Sequence, residues 1–513
     1  MKYNKSLLYI LAVVKFALPF LLQSPYYQPH RDEFLYLAEG NHLAWGFLEV
    51  PPLLSLMAWC THALGDGLFW IKFWPSLFGA LTFILTGEIV LLLGGSLFAL
   101  LLAFLPFIFG AYLRVHYLFQ PNFLEIFFYT LIAYAIVQYI INPKNKWLYL
   151  FGVACGLGML SKYSVAFFII GVMVGLLVSQ HRKIFLSKHL YFAAAIALCL
   201  FLPNLLWQYN HHFPVAHHMK ELQETQLQFI SPIDFLKDQL LMNLPCVFIW
   251  ITGLLFIILT KKGRRFIVFF WAYATVIALL LFFHGKNYYA LGLYPFLFAF
   301  GAYQLERLTV KRVRIMRYVF ITVAFYFGVL FVPVLLPVLD PPALVELYHK
   351  RGWDETDMLK WEDQKQHALP QDFADMMGWK EIAEKTAAVY NGLPDEEKNK
   401  TIIKCSDYGL CGALNFYGKL LGLPEVYSYN GDFLNWMPTQ LNVSNVITVG
   451  ESVPDTARPI IKQFSTILVK DELRDSLARE NGTKVILLEH ANSRVLSSFL
   501  EEEITEKKKA LLP

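Results

Sequence analysis

The 513-residue chain is 56% hydrophobic and only 16% charged, with a mean hydropathy of +0.44; a soluble domain carries roughly a quarter charged residues. This deficit, with 44 Phe and 27 Tyr, excludes an ordinary soluble protein and reads as an integral membrane protein. A net charge of only +4 excludes a general nucleic-acid surface.

A spanning helix needs ~20 apolar residues. Such runs lie near 6–23, 69–92, 96–113, 122–141, 147–161, 163–180, 190–206, 241–260, 266–283, 287–305 and 316–337, which gives about 11 transmembrane helices. The fifth and sixth are short and read equally as one re-entrant pair. No small-x-small cleavage pattern follows the first run, so it reads as an uncleaved anchor. Basic residues cluster at Lys2/Lys5, Lys144/Lys146, Arg182/Lys183/Lys188, Lys261/Lys262/Arg264/Arg265 and Arg307/Lys311/Arg312/Arg314/Arg317. Placing all five clusters inside gives a consistent zigzag with a cytoplasmic N-terminus. Segments 24–68, 114–121, 207–240, 284–287 and everything after 338 then lie outside.

In the outer segment 24–68, Phe34, Leu37, Ala38 and Trp45 share one helical face, while Asp32, Glu33, Glu39 and His42 lie elsewhere. This pattern predicts an amphipathic helix lying on the membrane; the alternative is a mere connector. Pro51-Pro52 stops it, and 53–64 form a second short apolar helix. Acids held at a membrane surface are costly to desolvate unless they are paired or have work to do. Asp32, Glu33 and Glu49 are therefore the first candidates for chemistry.

Pro341-Pro342 marks a change of composition, which divides the chain into a membrane domain, 1–339, and a polar domain, 340–513. The latter predicts a helix over 373–390, strands at 401–404, 446–449 and 484–488, a helix over 409–421 and a frayed charged helix at 501–509. Such alternation suggests a small α/β domain. Cys60, Cys155, Cys199 and Cys246 read as core residues. Cys405 and Cys411 are the close pair in polar sequence, bridged if an oxidising compartment and their geometry both permit it. No GxGxxG is present, which excludes that dinucleotide turn.

Several segments, taken in order, resemble one family. They are Asp32-Glu33 followed by Gly46-Phe47-Leu48-Glu49-Val50-Pro51-Pro52-Leu53; Ile71-Lys72-Phe73-Trp74-Pro75-Ser76 to Gly94-Gly95; and Gly156-Leu157-Gly158-Met159-Leu160-Ser161-Lys162-Tyr163-Ser164. Leu202-Pro203-Asn204 to Gln208, His284-Gly285-Lys286-Asn287-Tyr288-Tyr289 to Tyr294-Pro295, and Leu369-Pro370-Gln371-Asp372 to Trp379 complete the set. Together they resemble the GT-C-fold glycosyltransferases, the protein O-mannosyltransferase-like enzymes that include bacterial lipid A aminoarabinose transferases. Relatives of the aminoarabinose type carry a basic residue where this chain has Val50, which argues against that substrate here.

The resemblance implies an α-helical polytopic GT-C membrane protein with a C-terminal soluble α/β domain. It implies inverting transfer of a sugar from a polyprenyl-phosphate donor to a lipid, glycan or protein acceptor. The setting it implies is the bacterial inner (plasma) membrane, with the C-terminal domain periplasmic. In that reading Asp32 is the base that takes the acceptor proton, and Glu33 positions acceptor or ring hydroxyls. Lys72, Arg114, Lys162 and Lys286, at outer helix ends, are candidate cations for the leaving phosphate, and Glu49 and Tyr288 are candidate substrate contacts. The plainer alternatives are Asp32 and Glu33 paired with Arg31, Glu49 as a helix-end carboxylate, and lysines that snorkel to headgroups. His116 reads as structural or as facing the site. Lys15, inside the first span, snorkels or lines the cavity. A divalent metal is left open: His212 and His217 with Glu49 would make a carboxylate/imidazole set, but no HExxH or paired CxxC spacing supports one. The competing class is a transporter or lipid flippase, whose polar residues would sit near the bilayer midplane, often in duplicated halves.

Overall fold

Long apolar runs must satisfy their backbone hydrogen bonds internally to enter a bilayer, so they become helices. The structure, a computed structural model, describes residues 2–310 and 313–511; Lys311 and Arg312 of the fifth basic cluster lie outside the described residues. The chain begins α1 (Lys2–Leu22), α2 (Arg31–Asn41), α3 (Leu53–Leu64), α4 (Leu68–Leu93), α5 (Leu97–Phe109), the short α6 (Tyr112–Val115) and α7 (Asn122–Ile141). Helices Asn145–Met159, Val165–Val178 and Lys188–Asn210 follow, then Val247–Leu259, Val268–Phe282, Tyr294–Leu308 and Met316–Leu335. Each run expected to span thus lies on a helix. Five helices among the described residues are long and apolar enough to cross a bilayer alone, and six if one pair, bent by 63° around residues 242–243, counts as a single span. The other expected spans are shorter helices. The run 287–305 also departs from expectation: its first seven residues, Asn287–Leu293, form a 3-10 turn, and Pro295 sits in the first turn of the α-helix that follows.

Small residues let these helices approach closely. A Cβ on Gly301 would lie 1.7 Å from the Ile249 carbonyl oxygen, so helices Val247–Leu259 and Tyr294–Leu308 touch backbone to backbone.

The expectation for α2 is corrected. It is not a surface helix with one wet face, because Glu33 through Gly40 are all buried. One side packs on α3, and the other meets the C-terminal helix Tyr408–Gly418, where Phe34 contacts Phe416 and Tyr417 as well as Trp379 from a neighbouring C-terminal helix. Helix α3 instead exposes Leu56, Trp59 and Leu64, the pattern of an interfacial helix.

The C-terminal third carries a five-stranded sheet: β1 (Thr401–Cys405), β2 (Tyr427–Ser428), β3 (Asn445–Gly450), β4 (Thr466–Glu472) and β5 (Lys484–Glu489), in the order β2-β1-β3-β5-β4. β1 runs parallel to β2 and β3, whereas β5 is antiparallel to β3 and β4. The three expected strands are β1, β3 and β5. β2 has only two residues, and β4 is a charged edge strand with an irregular register at Val469/Asp471. The helix expected over 373–390 begins at Trp379, because Gly378 (φ 82°) breaks it from the short turn Gln371–Ala374. The final helix, Ser493–Leu511, is docked rather than frayed, through buried Leu496, Leu500 and Ile504. All six cysteines are free: Cys411 donates to the Val426 carbonyl instead of bridging Cys405. Cys199 is exposed on its helix, not in the core.

Candidate active site

A cavity of about 1000 Å³ opens where the ends of the apolar helices meet the C-terminal third. One wall is apolar, with Phe109, Leu241, Leu244, Phe331, Val334 and Leu335. The rest of the lining includes polar and ionic groups, with Asp32, Arg114, Gln120, Lys286, Tyr288, Asp372, Asp375, Tyr408 and Arg479. Its groups come from α2, α6, the 3-10 turn at Asn287 and three separate C-terminal segments.

Asp32 lies in the first turn of α2, where the helix dipole favours negative charge. Its side chain is about a third exposed. Oδ2 accepts a 3.1 Å hydrogen bond from Gln120 Nε2, and Oδ1 accepts one of 2.7 Å from the Tyr408 hydroxyl. Burial, reinforced by Asp32, pushes the Tyr408 phenol far above its ordinary range, so it stays a proton donor. Arg31 lies over the Tyr408 ring and pairs with Asp407 at 3.2 Å. The Asp407 carboxylate also caps the helix that Tyr408 opens.

Glu33 and Lys72 do not line the cavity. Both are buried, with Lys72 Nζ 2.6 Å from each Glu33 oxygen. Glu33 also accepts from the Phe119 N–H (2.6 Å) and the His30 N–H (2.7 Å), and Lys72 Nζ lies 4.1 Å from the Tyr117 ring centre. Every strong valence of the pair is spent internally. Glu33 and Lys72, expected as a substrate-positioning acid and a phosphate cation, are placed here as a buried pair that ties the start of α2 to α4.

Lys162 is held by Asn122 Oδ1 at 2.7 Å and Glu125 Oε2 at 2.8 Å, 4.1 Å from the Tyr289 ring centre. It stands behind the cavity wall and not on it. Arg114 lines the cavity in an ion pair with Asp372. Lys286 and Tyr288 line it too, and the Lys286 ammonium has no ion pair or hydrogen bond among the described residues. Glu49 is half-buried just outside the lining. Burial, then the charges of Asp432 and Asp32, raise its carboxyl to about 8, against the pull of Lys286.

The sequence reading missed His30, Asp372, Asp375, Tyr408 and Arg479 as parts of the wall. Asp372 and Asp375 stand in the motif 369–379; nothing local marks Tyr408 or Arg479.

His30, Asp372 and Asp375 could each offer a ligand atom to a metal ion, within 4.8 Å of one another. Their protonation argues otherwise. His30 Nδ1 accepts from the Asp32 N–H at 3.2 Å, which leaves the proton on Nε2, where a metal would have to bind. Asp372 is paired with Arg114 and Asp375 with Arg479. The two carboxylates of the trio are thus engaged in ion pairs, while the buried His30 Nε2 has no hydrogen-bond partner among the described residues. His212 and His217 form no metal-ligand group with Glu49 among the described residues.

Residues 49–207 match the family model described as dolichyl-phosphate-mannose-protein mannosyltransferase. The fold is similar to that of ArnT from Cupriavidus metallidurans bound to undecaprenyl phosphate, with TM-score 0.62 and 13% identity over 94% of this chain and 97% of that one. The apo state of the same protein gives TM-score 0.60 and 14% identity with the same coverage. The Archaeoglobus fulgidus oligosaccharyltransferase, in complex with Zn and sulfate, gives TM-score 0.50 and 13% identity over 86% of this chain and 67% of that one. No curated protein sequence matches significantly. The fold is therefore GT-C, and the resemblance read from the sequence stands on both the family model and the fold.

Proposed function

We propose that the chain is a membrane-bound inverting glycosyltransferase that moves a sugar from a polyprenyl-phosphate carrier to a hydroxyl of a lipid, glycan or protein acceptor. The observation that carries this reading is the mixed apolar and ionic lining of the cavity. Its apolar wall suits a prenyl chain, and its polar lining sets a partly exposed Asp32 in one space with an uncompensated Lys286.

Each group then has a task. Asp32 takes the proton as the acceptor oxygen bonds to the anomeric carbon, a contribution of typically ~10²–10⁴ in rate. The bond from that carbon to the phosphate oxygen breaks at the same time, and the carrier leaves as an anion. A phosphate leaving group needs positive charge rather than a proton, and Lys286 is the cation free to supply it. Arg114, already shared with Asp372, is the second cation. Gln120 and Tyr408 hold Asp32, while Glu49 and Tyr288 flank the sugar. Glu33, Lys72 and Lys162 support this wall from behind. In this reading 1–339 is the catalytic membrane domain, and 340–513 is an extracytoplasmic domain that completes the cavity at the outer face of a bacterial inner membrane.

Purified protein turning over a panel of radiolabelled polyprenyl-phosphate sugars tests the proposal. The expected result is release of polyprenyl phosphate with label on an envelope acceptor, and loss of both in a normally inserted Asp32→Asn variant. Movement of the lipid-linked sugar across a vesicle membrane without bond cleavage would mean a flippase. Full transfer by Asp32→Asn would remove the assigned base.

A further inference from the structure

A second cavity, of about 310 Å³, lies between the sheet and the helix Ser493–Leu511. It shares no lining residue with the Asp32 cavity. Three cations border it, Lys404, Arg458 and Lys507, against one carboxylate, Glu503.

Lys404 is two residues along β1 from Ile402, so it rises from the same sheet face. Its Nζ lies 3.8 Å from the Tyr429 ring centre, and that of Lys507 lies 4.9 Å from the same ring. The Tyr429 hydroxyl donates to Glu503 at 2.5 Å, so part of the one acid is already engaged. The side chains of Lys404, Arg458 and Lys507 form no ion pair or hydrogen bond among the described residues. Burial pulls the Lys404 ammonium down to about 8; Glu503 opposes this, and Lys507 and Arg458 add to it. The three cations thus repel one another, and Lys404, unlike the exposed Arg458 and Lys507, is also partly desolvated, costs that a bound anion relieves.

The charge count selects the anion. Three positive groups and one carboxylate leave an excess of two. A phosphomonoester carries about −1.5 to −2 at neutral pH, with three acceptor oxygens; a carboxylate would cancel only half of the excess. The Thr448 hydroxyl offers a further donor, and the apolar Phe464 and Phe499 leave room for more than a bare ion. The volume falls at the small end of ligand pockets, about 300–1000 Å³.

We propose that this cavity binds a phosphate monoester, held by Lys404, Arg458 and Lys507. The inference does not depend on the transfer reaction proposed above.

The test uses the full chain in detergent micelles, titrated calorimetrically with glucose 6-phosphate, and in nanodiscs with and without phosphatidic acid. Saturable binding is expected in one of the two formats. Binding of the sugar phosphate identifies a soluble or glycan-borne ester, and binding only of phosphatidic acid identifies a lipid headgroup. Lys404→Gln and Arg458→Gln should each weaken it at least about tenfold, as expected for a charge-assisted contact, whereas Lys286→Gln should leave it unchanged. Arg458 is exposed, so its variant remains informative if Lys404→Gln folds poorly. Failure to bind either ester would overturn the proposal. So would binding indifferent to both substitutions, or binding lost in Lys286→Gln, which would put the phosphate in the other cavity.

Discussion

The hydroxyl of Tyr408 donates a 2.7 Å hydrogen bond to Oδ1 of Asp32 across 376 residues of sequence. The C-terminal third is thereby part of the acid's immediate surroundings. If Asp32 is the base, Tyr408 fixes the carboxylate's orientation without touching the proton it takes. Tyr408→Phe should then lower kcat about tenfold, the scale of one lost hydrogen bond to a charged group, with little change in KM or melting temperature. Steady-state transfer assays beside thermal melting check this. An unchanged kcat would mean that Gln120 alone orients Asp32.

The buried pair Glu33–Lys72 leads to a different outcome. Removing one partner strands a charge where water cannot reach it, at a cost of about 3–5 kcal/mol. Lys72→Met should lower the melting temperature sharply and cut the yield of folded protein. The double variant Glu33→Gln with Lys72→Met should recover much of that loss, since two neutral groups need no counter-charge. A Lys72→Met protein that melts normally yet fails to bind a polyprenyl phosphate would return Lys72 to the donor site.

The contrast between Asp32 and Glu33 shows where the sequence was readable. Adjacent acids in an apolar chain announce a site, but not which of the two faces the cavity; that depends on a partner 39 residues away on another helix. Lys286 lines the cavity, but the sequence offers Lys72 and Lys162 on the same grounds; the acids that hold those two, Glu33 and Glu125, meet them only in the fold. Tyr408 and Arg479 were not legible, because they reach the wall only through the tertiary fold. The apolar runs were legible as helices, since each is its own hydrogen-bonding unit, although only five of them among the described residues are long and apolar enough to cross a bilayer alone. The burial of α2 was illegible for the opposite reason. Its Phe34 face is covered by the helix Tyr408–Gly418, while Glu33 and Glu39 on the polar-looking side are taken up by Lys72 and Ser55; covering by distant segments leaves no periodic trace.

The carboxyls of Glu49 and Asp432 should make stability depend on pH. Burial and neighbouring acids raise Glu49 from its ordinary 4.5 to about 8. Burial raises Asp432 from 3.8 to about 6, although it accepts hydrogen bonds from the Leu48 N–H and Asn435. Between the unfolded and folded values the native state holds more protons than the unfolded chain, so stability falls as pH rises. For Asp432 that window is about 4 to 6, and for Glu49 about 4.5 to 8. The melting temperature should therefore fall from pH 5.5 to pH 8, and Glu49→Gln should flatten part of the decline above pH 6, a range to which Glu480, raised by burial to about 7, and the buried Glu39 also contribute. An equally steep decline in that variant would place the titrating group elsewhere.

The seam between α2 and the helix Tyr408–Gly418 is closed by a glycine. A Cβ on Gly412 would lie 2.8 Å from the Phe34 backbone and Cβ, closer than real side chains approach. Since the clash is with helix backbone, the neighbour cannot swing aside, and Gly412→Val must push the two helices apart. Overpacking of this kind costs typically about 1–3 kcal/mol. Tyr408 lies one turn earlier on the same helix, so the displacement should also break its contact with Asp32. Gly412→Val is thus expected to lose melting temperature and transfer together, where Tyr408→Phe loses transfer alone. Measured side by side, the two variants separate the packing of the seam from its service to Asp32. If Gly412→Val keeps both properties, the C-terminal third does not hold the acid in place.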